Sequence, residues 1–163
     1  TLNVSNVILT DKQGQTFTPS ISRPALDAWR LANFSEAERD DPNIIGDNRD
    51  PDGDGLNNLL EFLMGGNPKQ KQATHELQTA HGLNPGDNHH YFTLTFRVGK
   101  NTSAVGTLSV EGSSNLINWN SAGIVLTPTG VEDATTLEYE AAIQVDGSAR
   151  QFLRLVGVRN PGN

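Results

Sequence analysis

The chain has 163 residues, which is enough for one domain or two small ones, and it is acidic, with 19 Asp and Glu against 12 Lys and Arg. The net charge of −7 argues against nucleic acid and against an anionic membrane surface, because both attract clustered basic side chains. No apolar run reaches the length of a membrane span, and the absence of cysteine excludes disulfides, thiolate zinc sites and cysteine nucleophiles.

Residues 1–10 alternate apolar and polar side chains, which predicts one strand. This strand is either an edge strand of the module or the end of a preceding domain. Because the chain begins at Thr1 rather than at Met, we expect it to be a mature or excised piece of a longer protein.

Residues 11–68 predict a short helical segment. Pro24 suits the first turn of a helix that places Trp29 on its apolar side, where we expect the ring to be part of the core. Ser35 to Glu38 form a capping box that predicts a second short helix, and the Pro42 region is expected to end helical structure.

An acidic loop follows, in which the twelve residues from Asp50 to Glu61 match the calcium-loop pattern D-x-[DN]-x-[DN]-G-x5-E. Alternate acidic side chains on a tight loop converge on one centre, and Gly55 allows the sharp turn that brings the next carbonyl round. A glutamate in the helix that follows supplies two further oxygens. The predicted Ca²⁺ ligands are Asp50, Asp52, Asp54, Leu56 through its carbonyl, Asn58 and Glu61.

After this loop, leucines at helical spacing predict a helix over residues 56–64, ended by Gly65 and Gly66. Residues 69–88 are polar and irregular and are predicted to be a linker. Residues 89–163 alternate with a period of two, with Leu94 and Phe96 among the inward positions of the first strand. The predicted fold class is mainly β, an antiparallel β-sandwich preceded by a small helical calcium-loop unit.

The residues Asp50–Pro68 resemble the calcium loops of bacterial thrombospondin type 3-like repeats and are similar to dockerin half-hands. The longer run Ala28–Phe62 resembles a segment near the C-termini of large secreted bacterial proteins, many of which degrade polysaccharides. A β-rich module with motifs like Ser113–Trp119 and Phe152–Leu155 often follows that segment. The resemblance implies a secreted or cell-surface location and a polysaccharide as partner of the module or its parent.

Two departures from those families bear on the role of the ion. Asn57 stands at loop position 8, where paired EF-hands place an apolar residue, and a second loop of the kind that dockerins carry is absent from the sequence. We therefore expect a single structural ion rather than a regulatory switch.

Aromatic side chains are the candidates for sugar recognition, because a flat ring packs on the apolar face of a pyranose. The candidate ligand-binding residues are Trp119, Tyr91 and Tyr139. Trp119 either caps the core of the sandwich or stands exposed as a platform, and Tyr139 is expected to be half-buried.

The sequence favours a monomeric, non-catalytic, calcium-binding accessory module that binds carbohydrate. The alternative is a calcium-stiffened spacer or a module that anchors its parent at the cell surface. We expect no enzymatic activity, because nucleophile-elbow and phosphate-loop motifs are absent and the clustered carboxylates are assigned to the ion.

Overall fold

A computed structural model describes residues 9–10, 16–17, 25–71, 77–145 and 150–161. The fold is mainly β, with antiparallel sheets and a few short helices, so the predicted fold class is confirmed. The strands are β1 (Leu9–Thr10), β2 (Thr16–Phe17), β3 (Leu77–Asn84), β4 (His89–Gly99), β5 (Gly106–Ser113), β6 (Ile124–Glu132), β7 (Thr136–Gln144) and β8 (Phe152–Arg159). The helices are α1 (Ala25–Asn33), α2 (Glu36–Arg39), α3 (Pro42–Ile45) and α4 (Asn58–Met64). None of the helices in these ranges is long and apolar enough to cross a membrane.

Two sheets form the sandwich, a four-stranded sheet in the order β3-β4-β7-β6 and a two-stranded sheet of β5 and β8. Every pairing is antiparallel. The inner faces meet through Leu94 and Phe96 of β4, Ala141 of β7 and Val110 of β5, all of which are buried. The period-two prediction for β4 is therefore confirmed at Leu94 and Phe96.

The predicted linker over residues 69–88 contains strand β3, which pairs with β4 along its whole length. All eight of its residues are exposed. An edge strand with both faces open to solvent needs no alternation of apolar residues, so the pattern that reveals β4 is missing from β3. The sandwich accordingly begins at Leu77, before the boundary expected at residue 89.

The start of the chain is described only in part. Leu9–Thr10 pairs with Thr16–Phe17 in a small sheet separate from the two sheets of the sandwich. The rest of the strand predicted over residues 1–10 lies outside the described residues.

The helices of the helical segment begin and end at capping residues. Ser35 and Glu38 form the predicted reciprocal capping box of α2. Pro42 was expected to end helical structure, but it opens α3, because proline fits the first helical turn when Asp41 acts as the N-cap. α4 begins at Asn58, two residues after the start predicted at residue 56, and ends at Met64, where Gly65 caps it in a left-handed conformation at φ 78°.

Helix α4 closes one end of the sandwich. Leu63 is 1% exposed. A Cβ placed on Gly106 would lie 3.3 Å from a methyl carbon of Leu63, and a Cβ on Gly157 would lie 3.2 Å from one. The helix can approach this closely because both strand positions are glycine. Trp29 packs edge-on against Phe62 of the same core, with the ring centroids 5.7 Å apart, as expected.

The capping box of α2 gives a prediction about pH. The ammonium of Lys69 lies 2.8 Å from the Glu38 carboxylate, and the Ser35 amide donates to it at 2.7 Å. These bonds lower the pKa of Glu38 from 4.5 to about 2. A lowered pKa stabilises the fold above the unfolded value, and this stabilisation is lost as the pH falls from about 4.5 towards about 2.

We therefore expect Glu38→Gln to melt below the unchanged protein at about pH 6, with the gap closing towards about pH 3. Thermal melts of the two proteins across this range measure the gap. A gap of constant size at every pH would show that the ionised carboxylate does not stabilise the fold.

Candidate metal centre

The acidic loop is closed at its base by main-chain hydrogen bonds. The amide of Asn58 donates to the carbonyl of Arg49 at 2.7 Å, and the amide of Leu59 donates to the carbonyl of Asp47 at 3.0 Å. The chain therefore leaves and re-enters the helical unit at one place, and residues 50–57 form a compact loop above it.

Asp50 organises the interior of the loop. Its carboxylate accepts hydrogen bonds from the amides of Gly53 at 2.8 Å and Gly55 at 2.9 Å. Gly53 and Gly55 have φ values of 72° and 96°, in the left-handed region that favours glycine. The turn that the sequence assigned to Gly55 is present. The backbone angle is what requires glycine there, since, apart from its chain neighbours, no atom of the described residues lies within 4 Å of the site of a Cβ.

The three aspartates converge. One carboxylate oxygen from each of Asp50, Asp52 and Asp54 lies within 4.8 Å of the other two. Burial and the charge of Asp54 raise the pKa of Asp52. Burial also acts to raise the pKa of Asp50, but the donating amides of Gly55, Gly53 and Asp54 outweigh it and lower that pKa. The loop thus holds carboxylates close together despite their mutual repulsion and partial burial. A bound cation would offset this unfavourable free energy.

Asn58 lies beneath this cluster in the first turn of α4 and is 1% exposed. Its Nδ2 donates to the carbonyls of Ile44 at 2.7 Å and Gly46 at 2.9 Å. Within the described part of the chain, its Oδ1 is buried and accepts no hydrogen bond, and the same holds for Oδ2 of Asp52. Buried acceptors of this kind are normally satisfied, so each points to a ligand.

The other predicted ligands occupy different parts of the loop. Leu56 lies before α4, and its amide donates to Asp54 at 2.8 Å. Glu61 is 1% exposed within α4, and the group of oxygens within 4.8 Å comprises the three aspartates without it. Asn57, the departure at position 8, is the N-cap of α4 and accepts the amide of Leu60 at 3.0 Å.

Asp47 is a connecting residue that the sequence did not reveal. Its two carboxylate oxygens accept from Arg30 of α1 at 2.7 Å and from Arg159 of β8 at 2.8 Å. The Asp47 side chain therefore connects the start of the acidic loop with both the helical unit and the sandwich. The partner in β8 is 112 positions away along the chain, so local spacing carries no sign of the pair.

The three candidate aromatic residues lie at separate places. Tyr139 stacks on Phe96 between the sheets, with the centroids 6.4 Å apart, and is half-buried as expected. Tyr91 is half-buried on β4, and its hydroxyl donates to Asp87 at 2.9 Å. Trp119 follows β5 and lies against Arg154 of β8. The structure does not bring the three rings together.

Trp119 is part of a folded loop. Its Nε1 donates to the carbonyl of Leu116 at 3.2 Å, and the guanidinium of Arg154 lies 4.3 Å from its ring centroid. The guanidinium of Arg154 forms an ion pair with the carboxylate of Glu111, which lies directly opposite on β5, with a nitrogen–oxygen distance of 2.6 Å. The half-buried ring therefore lies over an ion pair of the two-stranded sheet rather than over the core of the sandwich.

The segment Ser113–Trp119 is stabilised mainly by its own polar side chains. Ser113 Oγ accepts the amides of Asn115 and Leu116, and Asn115 Oδ1 accepts the amides of Ile117 and Asn118. These bonds hold Leu116 at a φ of 62°. The Ser and Asn residues of this motif thus determine the shape of the turn.

Comparison of the chain with protein-family models, with curated proteins and with solved structures finds no match.

Proposed function

We propose that this chain is a non-catalytic, calcium-binding accessory module of a secreted bacterial polysaccharide-degrading protein. The observation that carries the calcium part is the convergence of three aspartate oxygens within 4.8 Å. Buried oxygens of Asp52 and Asn58, which accept no hydrogen bond from the described residues, support it independently.

Calcium fits this set of side chains better than other divalent ions. The candidate ligands are all oxygens, which suit hard cations and not zinc, whose sites use histidine or cysteine. Magnesium demands a tight octahedron and retains water, whereas calcium accepts six to eight oxygens on a flexible loop. The twelve-residue spacing from Asp50 to Glu61 matches the calcium pattern throughout.

The proposed role of the ion is structural. It would neutralise the aspartates and fix the first turn of α4, whose other end packs against the sandwich at Gly106 and Gly157. Extracellular sites of this kind bind calcium with dissociation constants of roughly 10⁻⁴ to 10⁻³ M, which agrees with a secreted or cell-surface location.

The polysaccharide-active parent and the bacterial source are proposed from the resemblance of Ala28–Phe62 to a segment of large secreted bacterial proteins. We assign the proposed binding of carbohydrate to the sandwich. The alternative, a calcium-stiffened spacer or surface anchor, is favoured by one observation. Arg154 covers one face of Trp119, so that face is not available as a platform for a sugar.

Calcium should raise the melting temperature. At free calcium ten to a hundred times the dissociation constant, binding stabilises the folded state by about 1.4 to 2.7 kcal/mol. Calorimetric melts in EDTA and in about 10 mM calcium, which is roughly ten to a hundred times the expected dissociation constant, measure the shift. Asp54→Asn should lose most of it, whereas Asp27→Asn, a matched change at an exposed acid on α1, should keep it.

Equal melting temperatures in EDTA and in calcium would contradict the proposal. An equal shift with magnesium would contradict the choice of ion, and an equal loss in Asp27→Asn would show that the shift reflects net charge alone.

A further inference from the structure

The outer face of the four-stranded sheet, turned away from β5 and β8, contains a depression of about 500 Å³. This is within the volume range of small-ligand sites. We call it the outer-face depression, and its lining includes Ala80, Gly82, Tyr91, Thr93, Glu140 and Ala142.

Strand register explains the shape of the outer-face depression. Ala80 of β3 lies opposite Thr93 of β4, Thr93 opposite Ala142 of β7, and Ala142 opposite Val125 of β6. Short side chains thus form a floor that crosses all four strands. Tyr91 stands on one side of this floor and Glu140 on the other, each two residues along its strand from a floor residue. A chain-like ligand would lie across the strands.

The ring of Tyr91 is fixed before any ligand arrives. Its hydroxyl donates to Asp87, whose other oxygen accepts the amide of His89 at 3.0 Å. Asn84 donates to Asp87 from the end of β3 at 3.2 Å. The turn between β3 and β4 therefore holds this ring at the edge of the depression, and a rigid ring loses little entropy when a ligand packs on it.

Glu140 faces the depression as a half-buried acceptor. No described residue donates a hydrogen bond to its carboxylate or forms an ion pair with it. Its neighbour Glu138 differs, because it accepts the hydroxyl of Thr129 at 2.9 Å and lies 4.0 Å from Arg97. Glu140 is thus a carboxylate on this face whose oxygens are open to donors from a ligand.

Charge and chemistry together limit the ligand. Among the described residues, the lining contains no lysine or arginine, and its histidine, His81, lies opposite Phe92 in the inward-facing register, so sulfated or uronic chains would meet Glu140 without a compensating lysine or arginine. A flat ring, a threonine hydroxyl and an accepting carboxylate match the apolar faces and hydroxyl groups of a sugar chain. We infer that the outer-face depression binds an uncharged oligosaccharide chain across β3, β4 and β7. This inference rests on the carbohydrate role in the proposed function, and it is independent of the calcium loop.

The test is affinity electrophoresis in calcium with four neutral polysaccharides: hydroxyethyl cellulose, xyloglucan, galactomannan and arabinoxylan. Carboxymethyl cellulose and hyaluronan serve as acidic probes. We expect retention by at least one neutral chain and weaker retention by both acidic chains. Tyr91→Ala and Ala142→Arg should each lower the affinity about tenfold or more. Val158→Arg places the same side chain at an exposed position of β8 and should change nothing.

Melting curves of each variant verify that it is folded. If the unchanged protein binds a neutral chain and both depression variants bind equally well, the site is overturned while the carbohydrate role stands. If none of the neutral chains is retained, the carbohydrate role and the site both fail, whereas the calcium melt remains a separate result. Stronger retention by the acidic probes would overturn the assignment of an uncharged ligand.

Discussion

Replacing Leu63 by alanine should lower the free energy of unfolding by about 3 to 4 kcal/mol, the range for a fully buried leucine whose site cannot collapse. The side chain is 1% exposed, and its methyl groups fill the space above Gly106 and Gly157. Those glycines lie in paired strands, so the backbone cannot close the cavity without breaking the ladder between β5 and β8. Thermal unfolding should show a loss of about 10 °C.

Leu31→Ala provides the matched control, since the same atoms are removed from a side chain that is 45% exposed on α1. It should cost no more than about 0.5 kcal/mol. Equal losses in the two variants would mean that α4 is not the element that closes the sandwich. Because α4 also carries Asn58 and Glu61, Leu63→Ala should weaken calcium binding as well, although the aspartates are untouched.

The parts of the fold that were predictable are those in which a local rule and the tertiary structure agree. β4 has one buried face, so the alternation of Leu94 and Phe96 with polar residues shows which of its side chains lie in the core. The capping box at Ser35 and the helix end at Gly65 depend on neighbours within a few residues, and both were predicted. The acidic loop belongs to the same group, since its spacing alone brings its carboxylates together.

The parts of the fold that were not predicted depend on contacts between residues distant in sequence, or lack the buried face that produces an apolar pattern. β3 has no buried face and therefore no apolar period. Asp47 joins Arg30 and Arg159, and no local pattern connects these three positions. Trp119 has a partner, Arg154, that only the register of β5 against β8 identifies. The sequence identifies the ring as a candidate, but the residues around it can be predicted only when the pairing of β5 with β8 is known.

Asn58→Ala should destabilise the protein even without calcium, by about 2 to 4 kcal/mol. The change removes two partly buried hydrogen bonds and leaves the carbonyls of Ile44 and Gly46 without their donor. Chemical denaturation in EDTA measures this cost. Asn57→Ala is the neighbouring control, because it removes only the N-cap bond to Leu60 and should cost about 1 kcal/mol.

The same pair of variants tests the assignment of Asn58 as a calcium ligand. Its Nδ2 is committed to the protein, whereas its buried Oδ1 accepts no hydrogen bond from the described residues, so a bound cation would supply the missing partner. Calcium should therefore raise the melting temperature of Asn57→Ala by the full amount and that of Asn58→Ala by much less. A full shift in Asn58→Ala would remove Asn58 from the ligand set. It would leave the side chain with a purely structural role, joining the end of α3 to the first turn of α4.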